Sequence, residues 1–260
     1  MSRLRAATPI ELWCVDLTAA APALHAIEQH TPRLSADDRI RASSFSDDLV
    51  RTEWMATHIA LRLLIERWDG ARWRGAPYAV TERGKPHLPD APLSFSISHA
   101  RGVALIGISR IGSIGVDIER TRNVRIGAPR RERIEAAGAA LNAEPLPSEG
   151  EGRFLQAWVR LEACAKAEGC GIGRLLTRLG ILGSSTAARP HAPTEQGAGA
   201  EPAPASVPTS TEHRPSEQLS VRDLQLGGGT FAAVAAPGGA ALGDIVWLPS
   251  DREALENLID

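Results

Sequence analysis

The stretch Gly-Val-Asp-Ile-Glu at residues 115–119 alternates apolar and acidic side chains, which is typical of a β-strand. Because alternate side chains of a strand share one face, Asp117 and Glu119 are expected to point the same way. Two like charges side by side repel each other, and a divalent cation with oxygen ligands would compensate them. Taken alone, such a pattern more often marks a strand with one solvated face. The stretch is therefore a candidate metal site that needs support from elsewhere in the chain.

A second stretch, Trp-Val-Arg-Leu-Glu-Ala-Cys-Ala-Lys at residues 158–166, supplies that support. Apolar residues at helical spacing predict a helix over residues 151–168, which Gly169 ends. Glu162 and Lys166 are four residues apart and border the apolar stripe of this helix. An ordinary surface ion pair has the same spacing, but the position beside the buried stripe favours a site. A lysine there would be a compact, strongly charged donor to a phosphate.

The rest of the chain is predicted to alternate between strands and helices. The predicted strands lie at residues 10–17, 78–81, 93–98, 103–109, 114–118, 219–226, 230–236 and 245–248. The predicted helices lie at residues 22–29, 52–68, 131–141, 151–168 and 252–259, and a further helix begins at Ser35. The strands between residues 93 and 118 follow each other closely and predict an antiparallel meander. Residues 184–216 have the composition of a flexible linker or surface insertion.

Composition and charge exclude several classes of protein. The 29 basic and 31 acidic residues give a formal net charge of -2, so non-specific nucleic-acid binding is not expected. The cysteines are Cys14, Cys164 and Cys170, an odd number without a zinc-ligand pattern, which favours a reduced, cytosolic compartment. No stretch approaches about 18 uninterrupted apolar residues, so no membrane span is expected.

Two further motifs place basic side chains at the ends of predicted strands. Ser98 and His99 close one strand, and a histidine in that position can donate to a phosphate. Gly-Lys-Pro at residues 84–86 is a stiff turn that presents a lysine. Arg41 and Arg51 flank the beginning of the first long helix and could add positive charge. Each of these features is more often structural or merely solvated when it stands alone.

Read in chain order, four motifs resemble those of the 4'-phosphopantetheinyl transferases of the larger, surfactin-synthetase-activating type. The motifs are Gly-Lys-Pro at 84–86, Phe-Ser-Ile-Ser-His at 95–99, Gly-Val-Asp-Ile-Glu at 115–119, and the stretch from Phe154 to Gly171 with its Trp158, Glu162 and Lys166. The resemblance covers about residues 35–182, and the predicted hairpin at 219–236 is also similar. One such motif would be weak evidence, whereas four in this order are specific.

The resemblance implies an α+β fold built as a pseudo-dimer. Two similar halves, each a small antiparallel sheet packed on a long helix, would bind coenzyme A in the cleft between them. On this basis residues 1–118 form an N-terminal half on the coenzyme A side, and residues 119–260 form a C-terminal half with the metal and phosphate helix and the insertion at 184–216. The chain is expected to be a cytoplasmic monomer without a membrane or nucleic-acid partner.

The implied activity is a Mg²⁺-dependent transfer of the 4'-phosphopantetheine arm of coenzyme A. The acceptor would be a serine of an apo acyl or peptidyl carrier protein, and adenosine 3',5'-bisphosphate would be released. Mg²⁺ would bridge the pyrophosphate. Phosphoryl transfer depends chiefly on positioning and on neutralising charge with a metal and cations, which agrees with the residue types in these motifs.

The resemblance also implies a role for each candidate residue. The implied metal ligands are Asp117, Glu119 and Glu162, and Glu162 would also help to deprotonate the carrier serine. Lys166 would act in catalysis and hold the coenzyme A phosphates together with His99. The residues implied to bind coenzyme A are Arg41, Arg51, Lys85, Pro86, Ser98, His99 and Lys166, with Lys85 at the 3'-phosphate or adenine end.

The sequence departs from the family pattern in three places, and two alternatives to the transferase stay open. Leu161 stands where the family has a lysine, and Arg160 would point roughly 100° away from that direction. Residues 120–150 lack the phenylalanine-rich helix that helps to receive the carrier protein, and the insertion at 184–216 is long. One alternative is a non-catalytic module that holds coenzyme A or a carrier protein. The other is an unrelated metal-dependent hydrolase that uses the same three acids.

Overall fold

The computed structural model describes residues 9–183 and 218–259. Its strands are β1 (Ile10–Asp16), β2 (Ala79–Val80), β3 (Pro86–His87), β4 (Ser94–Ala100), β5 (Val103–Ser109), β6 (Gly115–Arg120), β7 (Leu219–Leu224), β8 (Thr230–Pro237) and β9 (Leu242–Trp247). Its α-helices are α1 (Leu17–His30), α2 (Ala36–Ser43), α3 (Asp48–Asp69), α4 (Ala128–Ala139), α5 (Gly150–Glu168), α6 (Ile172–Arg178) and α7 (Arg252–Glu256). The predicted insertion at 184–216 lies outside the described residues.

The larger strands form two separate sheets. The first has the order β4-β5-β1-β9, with β1 antiparallel to β5 and parallel to β9. The second has the order β6-β8-β7 and is antiparallel throughout, while β2 and β3 form a small ribbon. Helices pack on these sheets, so the predicted α+β class is confirmed. The pseudo-twofold relation between the halves stays a prediction.

The first sheet is covered by the long helix α3 and by α1. Their apolar stripes, which include Leu24, Ile59 and Leu63, pack with Val15 and Ile106 of the sheet in one core. The spacing of Ile59 and Leu63 places both on one face of the helix, as the sequence predicts. Burial of these side chains stabilises the first half and fixes α3 beside β4.

The second sheet is covered by α5, whose buried face packs on β6 and β8. Phe154, Val159 and Leu161 of the helix share a core with Ala233 and Ala235 of β8. The helix ends at Gly169, which adopts the left-handed conformation with φ of 67°. A third apolar core lies between the two sheets, where Val116 and Ile118 of β6 face the first sheet. The opposite face of β6, with Asp117, therefore looks toward α5.

The meander predicted for residues 93–118 is wrong, because β6 leaves the first sheet and joins the second. Instead of extending β5 edge to edge, β6 packs across its face. Gly107 of β5 makes this possible, since a Cβ there would lie 2.7 Å from the Ile114 side chain and 2.8 Å from that of Val116. A short strand with an apolar face can bury that face by pairing with the edge of the neighbouring strand or by packing across the sheet. The local sequence does not distinguish these two arrangements.

The last strand and the last helix of the described residues pack on elements near residue 10, in the first half. Strand β9 pairs with β1, and α7 packs against α1. The division of the chain at residue 118 stays a prediction. No helix in residues 9–183 or 218–259 is long and apolar enough to cross a membrane.

Candidate active site

A glycine brings β6 directly against α5. A Cβ at Gly115 would lie 1.9 Å from the carbonyl oxygen of Ala163 and 2.4 Å from the backbone nitrogen of Ala167. No other residue can occupy this position without separating the strand from the helix. The close approach carries Asp117, two residues further along β6, to the side of α5 that bears Lys166.

Asp117 is the centre of a hydrogen-bonded group that joins both sheets to α5. Its side chain is buried, and its Oδ1 accepts from Ser98 Oγ at 2.7 Å and from Lys166 Nζ at 2.7 Å. The same lysine donates to the carbonyl oxygens of Val116, at 3.1 Å, and Ile97, at 3.4 Å. Of the residues predicted from the sequence, the structure therefore brings Ser98, Asp117 and Lys166 together.

The electrostatics of this group show an excess of negative charge. Burial raises the pKa of Asp117 above its ordinary value, even though Lys166 and Ser98 act in the opposite direction. Burial also raises the pKa of Glu162, and the negative charges of Asp117 and Glu119 raise it further. One ammonium group thus does not compensate the neighbouring carboxylates, and an additional cation would lower the free energy of their charged forms.

Glu119, the third predicted metal ligand, is held by a local partner. Its carboxylate accepts from Arg122 at 2.9 and 3.1 Å in a half-exposed ion pair. In the described residues, no group of three or more His, Cys, Asp or Glu side chains is arranged to hold a metal ion. The chemistry of the donors still fits a hard divalent cation, because all three groups are carboxylates and two of them have raised pKa values. The metal assignment stays a prediction.

A cavity of about 340 Å³ lies beside this group. It is lined by residues of α3, the 84–86 turn, β4 and the end of α5: His58, Leu61, Tyr78, Arg83, Gly84, Lys85, Pro86, Phe95, Ser96, Ile97, Ala165, Lys166, Gly169 and Gly171. Lys166 thus belongs both to the cavity wall and to the Asp117 group. Lys85 and Pro86 also line it, and their predicted contact with a ligand stays a prediction.

The amine of Lys85 is not directed at open space in the cavity. It donates to the carbonyl oxygen of Ile114 at 2.8 Å and to that of Ala167 at 3.3 Å. Burial lowers the pKa of this amine to about 8. The sequence predicts Lys85 on an exposed turn, whereas the structure places its amine between Ile114 and the end of α5.

His99 lies at the end of β4 and is only partly exposed. Shielding from water lowers the pKa of its imidazole, the charge of Glu53 raises it, and the charge of Lys166 lowers it. The imidazole is therefore close enough to Lys166 to respond to its charge. A neutral imidazole can still donate one hydrogen bond to a phosphate.

Arg41 and Arg51 do not line the cavity. Arg41 lies over the ring of Phe45, 5.1 Å from its centroid, and Arg51 pairs with Asp48. Both arginines thus have local partners near the beginning of α3. Their predicted contact with coenzyme A stays a prediction.

Sequence reasoning did not identify His58 and Tyr78 in the cavity wall. The ring of His58 stacks on Trp54 with centroids 3.7 Å apart, and burial lowers its pKa to about 4. Within the described residues, His58 Nδ1 and Tyr78 Oη are buried without a hydrogen-bond partner. The i, i+4 spacing of Trp54 and His58 predicts their contact. No signal in the sequence indicates that they meet the 84–86 turn.

The two residues before Glu162 are structural. Arg160 is fully buried, donates to Asp223 at 2.7 and 2.5 Å, and also bonds the carbonyl oxygens of Gly138 and Glu144. Leu161 is fully buried in the α5 core. The expectation that Arg160 does not replace the family lysine agrees with this geometry.

Comparison with known proteins supports the motif-based resemblance. No protein-family model matches the chain. A Synechocystis protein provisionally named a 4'-phosphopantetheinyl transferase is 30% identical over 149 residues, which is 54% of this chain and 58% of that protein. HetI, a 4'-phosphopantetheinyl transferase of Nostoc, is 27% identical over 171 residues, which is 64% of this chain and 71% of HetI. The chain thus spans less than two thirds of the length of the first relative. Both relatives confirm the predicted resemblance of this chain to the 4'-phosphopantetheinyl transferase superfamily.

Proposed function

We propose that this chain transfers the 4'-phosphopantetheine arm of coenzyme A to a serine of an apo acyl or peptidyl carrier protein. Adenosine 3',5'-bisphosphate would leave. The observation that carries this proposal is the position of Lys166, which lines the cavity and also donates to the buried carboxylate of Asp117. A ligand in the cavity would place its phosphates beside a cation and a set of carboxylates that lack full compensation.

Asp117, Glu119 and Glu162 are the residues that would hold Mg²⁺. Bound there, the ion would neutralise the pyrophosphate and the developing charge on the leaving group. Glu119 would exchange Arg122 for the metal. Because that ion pair is half-exposed, its loss would cost less than about 1 kcal/mol.

The chain's own residues would position and activate the reactants. Lys166 would bind the phosphates as a point charge, with His99 as a second donor and Ser98 holding Asp117 in place. Pro86, Arg41 and Arg51 would complete the predicted coenzyme A set, whereas the amine of Lys85 is bonded to the carbonyl oxygens of Ile114 and Ala167. Glu162 would also help to accept the proton of the carrier serine hydroxyl, the role that the family resemblance implies.

Purified protein with Mg²⁺, coenzyme A and a panel of apo carrier proteins tests the proposal by mass spectrometry. We expect at least one carrier to gain the mass of the arm, and an equal amount of adenosine 3',5'-bisphosphate to appear. If no carrier is modified, the proposal is wrong. Release of the bisphosphate without modification of a carrier would favour the hydrolase alternative.

A non-catalytic binding module is the second candidate function. The buried positions of Arg160 and Leu161 favour it, because neither residue supplies the additional cation that the family has beside Glu162. Binding of coenzyme A in calorimetry, together with no transfer to any carrier, would select this candidate over the transferase. Transfer to a single carrier would exclude it.

A further inference from the structure

Lys85 connects the two halves of the molecule through backbone atoms next to the candidate site. Its amine joins Ile114, the residue before Gly115, to Ala167, the residue after Lys166. Gly115 begins the strand that carries Asp117, and Ala167 lies in the last turn of the helix that carries Glu162 and Lys166. One side chain therefore fixes β6 and α5, the two elements that carry the site residues, relative to each other.

The geometry of the turn prepares Lys85 for this contact. Its backbone N–H donates to Thr81 Oγ1 at 3.0 Å, and its carbonyl oxygen accepts from Thr81 N at 2.9 Å. Gly84, at φ of 90°, closes the turn in a conformation that favours glycine. The Lys85 stem packs on Gly169, where a Cβ would lie only 3.1 Å from the Cβ of Lys85. The side chain is thus fixed at both its base and its tip.

The end of α5 is a place where a lysine is stabilising. The last carbonyl groups of a helix lack intrahelical partners and carry a partial negative charge. Gly169 N donates to the carbonyl oxygen of Lys166 at 3.2 Å, and Cys170 N donates to that of Ala165 at 3.1 Å. Lys85 supplies a donor to the carbonyl oxygen of Ala167, so a residue of the first half completes the capping of a second-half helix.

We propose that Lys85 is a positioning residue that caps α5 across the cleft and thereby fixes the distance between Asp117 and the Glu162–Lys166 face. This role rests on the proposed transfer for its functional consequence. It differs from the role implied by the family resemblance, in which Lys85 binds the 3'-phosphate or adenine end of coenzyme A. A side chain that binds the 3'-phosphate affects the affinity for substrates that carry this group. A side chain that caps α5 acts through the helix and affects every substrate alike.

Comparison of coenzyme A with 3'-dephospho-coenzyme A separates the two roles. In Lys85→Met, which retains the stem against Gly169, we expect kcat to fall about 10- to 100-fold for both substrates by the same factor, since small misplacements of reacting groups have effects of this size. KM should change less than about twofold for both. Lys85→Arg, which retains charged donors, should recover part of kcat. A rise in KM that is confined to coenzyme A would overturn the cap and support the phosphate contact.

Hydrogen exchange tests the cap independently of any transfer activity. The amides of Gly169 and Cys170 at the end of α5 should exchange at least about tenfold faster in Lys85→Met than in the wild type, because their turn loses its connection to the 84–86 turn. Amides of α4 serve as the internal control and should keep their rates. Unchanged exchange at Gly169 and Cys170 would overturn the proposal, even if transfer falls. If the wild type modifies no carrier, the proposed function is wrong. The hydrogen-exchange rates still test whether Lys85 caps α5.

Discussion

Helix α5 carries two buried ion pairs, six residues apart, that differ in how completely they are compensated. Arg160 and Asp223 are both nearly inaccessible, with side chains 0% and 7% exposed, and the guanidinium has partners on all of its nitrogens. Lys166 is 30% exposed, and its partner Asp117 is buried next to a second carboxylate, Glu162. The first pair is closed, and the second is open on the side of the cavity.

This difference separates a structural pair from a candidate functional one. A buried pair stabilises the protein only when hydrogen bonds satisfy the remaining donors and acceptors. Arg160 meets that condition by tying α5 to β7 and to the α4 region. The Asp117 group meets it less fully: Lys166 has three acceptors, but among the described residues only Oδ1 of Asp117 has hydrogen-bond donors. Burial and like charges also raise the pKa values of Asp117 and Glu162. A group that is left electrostatically unfavourable in this way is typical of a binding or catalytic site.

Loss of the closed pair should have the largest effect on stability. Arg160→Met leaves Asp223 buried without compensation and should lower the free energy of unfolding by about 3–5 kcal/mol in urea denaturation. Arg252→Met, which breaks an exposed pair with Glu256, is the matched control and should stay within about 0.5 kcal/mol. The double variant Arg160→Met with Asp223→Leu should recover much of the loss. If Arg160→Met and Arg252→Met lower the free energy of unfolding equally, the Arg160–Asp223 pair is not the stronger structural contact.

Loss of the open pair should affect activity instead of stability. Asp117→Asn keeps the shape of the side chain but removes its charge, and we expect transfer to fall by about 10²–10³-fold. The free energy of unfolding should change by less than about 1 kcal/mol, because removal of the buried charge relieves the repulsion of Glu162 and offsets the loss at Lys166. Asp117→Ala removes every side-chain oxygen, so transfer that survives in this variant at saturating Mg²⁺ would show that Asp117 is not a metal ligand.

Leu161→Lys tests whether the family lysine can be restored. The side chain of Leu161 is fully buried among the α5 core residues, so a lysine there would lose apolar contacts and bury a charge. We expect a loss of about 2–4 kcal/mol in the free energy of unfolding and no gain in turnover. Leu161→Met is the control and should cost less than about 1.5 kcal/mol. A higher kcat at unchanged stability would show that the lysine reaches the site.

The pH dependence of Mg²⁺ stabilisation should give the smallest effect. Asp117 and Glu162 have pKa values raised above those of the unfolded chain. Between the unfolded and the folded pKa of each carboxyl group, the folded protein therefore binds more protons than the unfolded chain. Without metal, stability therefore falls as pH rises from about 4 through the raised pKa values. Mg²⁺ binds the charged carboxylates, so its stabilisation should grow over the same pH range, to about 1.4 kcal/mol at ten times Kd.

Thermal unfolding with and without Mg²⁺ measures this effect, and Glu162→Gln should reduce it. Na⁺ at the same ionic strength controls for screening. If the stabilisation by Mg²⁺ does not depend on pH, or persists in Glu162→Gln, the ion does not bind at Asp117 and Glu162.

The helices were largely predictable because their signals are local. The expected helix at 151–168 is Gly150–Glu168, and the expected helix at 52–68 is Asp48–Asp69, extended at its beginning by the Asp47 cap. The helix expected at 22–29 begins earlier, at Leu17, because Asp16 accepts from the N–H groups of Thr18 and Ala19. The preference of proline for the first turn of a helix favours a later beginning, at Pro22.

What the sequence did not predict depends on contacts between distant residues. The order of motifs indicated that Ser98, Asp117 and Lys166 belong to one site, and the structure brings them together. The direction of the Lys85 amine could not be read from its turn, since its acceptors are Ile114, the residue before β6, and Ala167 of α5. The place of β6 in the second sheet was missed for the same reason.

The pairing of β1 with β9 has a consequence for folding during synthesis. A ribosome delivers residues 10–16 more than 220 residues before residues 242–247, yet these strands lie side by side in one sheet. Until the late strand emerges, β1 has an unpaired edge, and unpaired edges favour association with other chains. Closing such a long loop also slows folding. The edge of β1 therefore stays unpaired until residues 242–247 have left the ribosome.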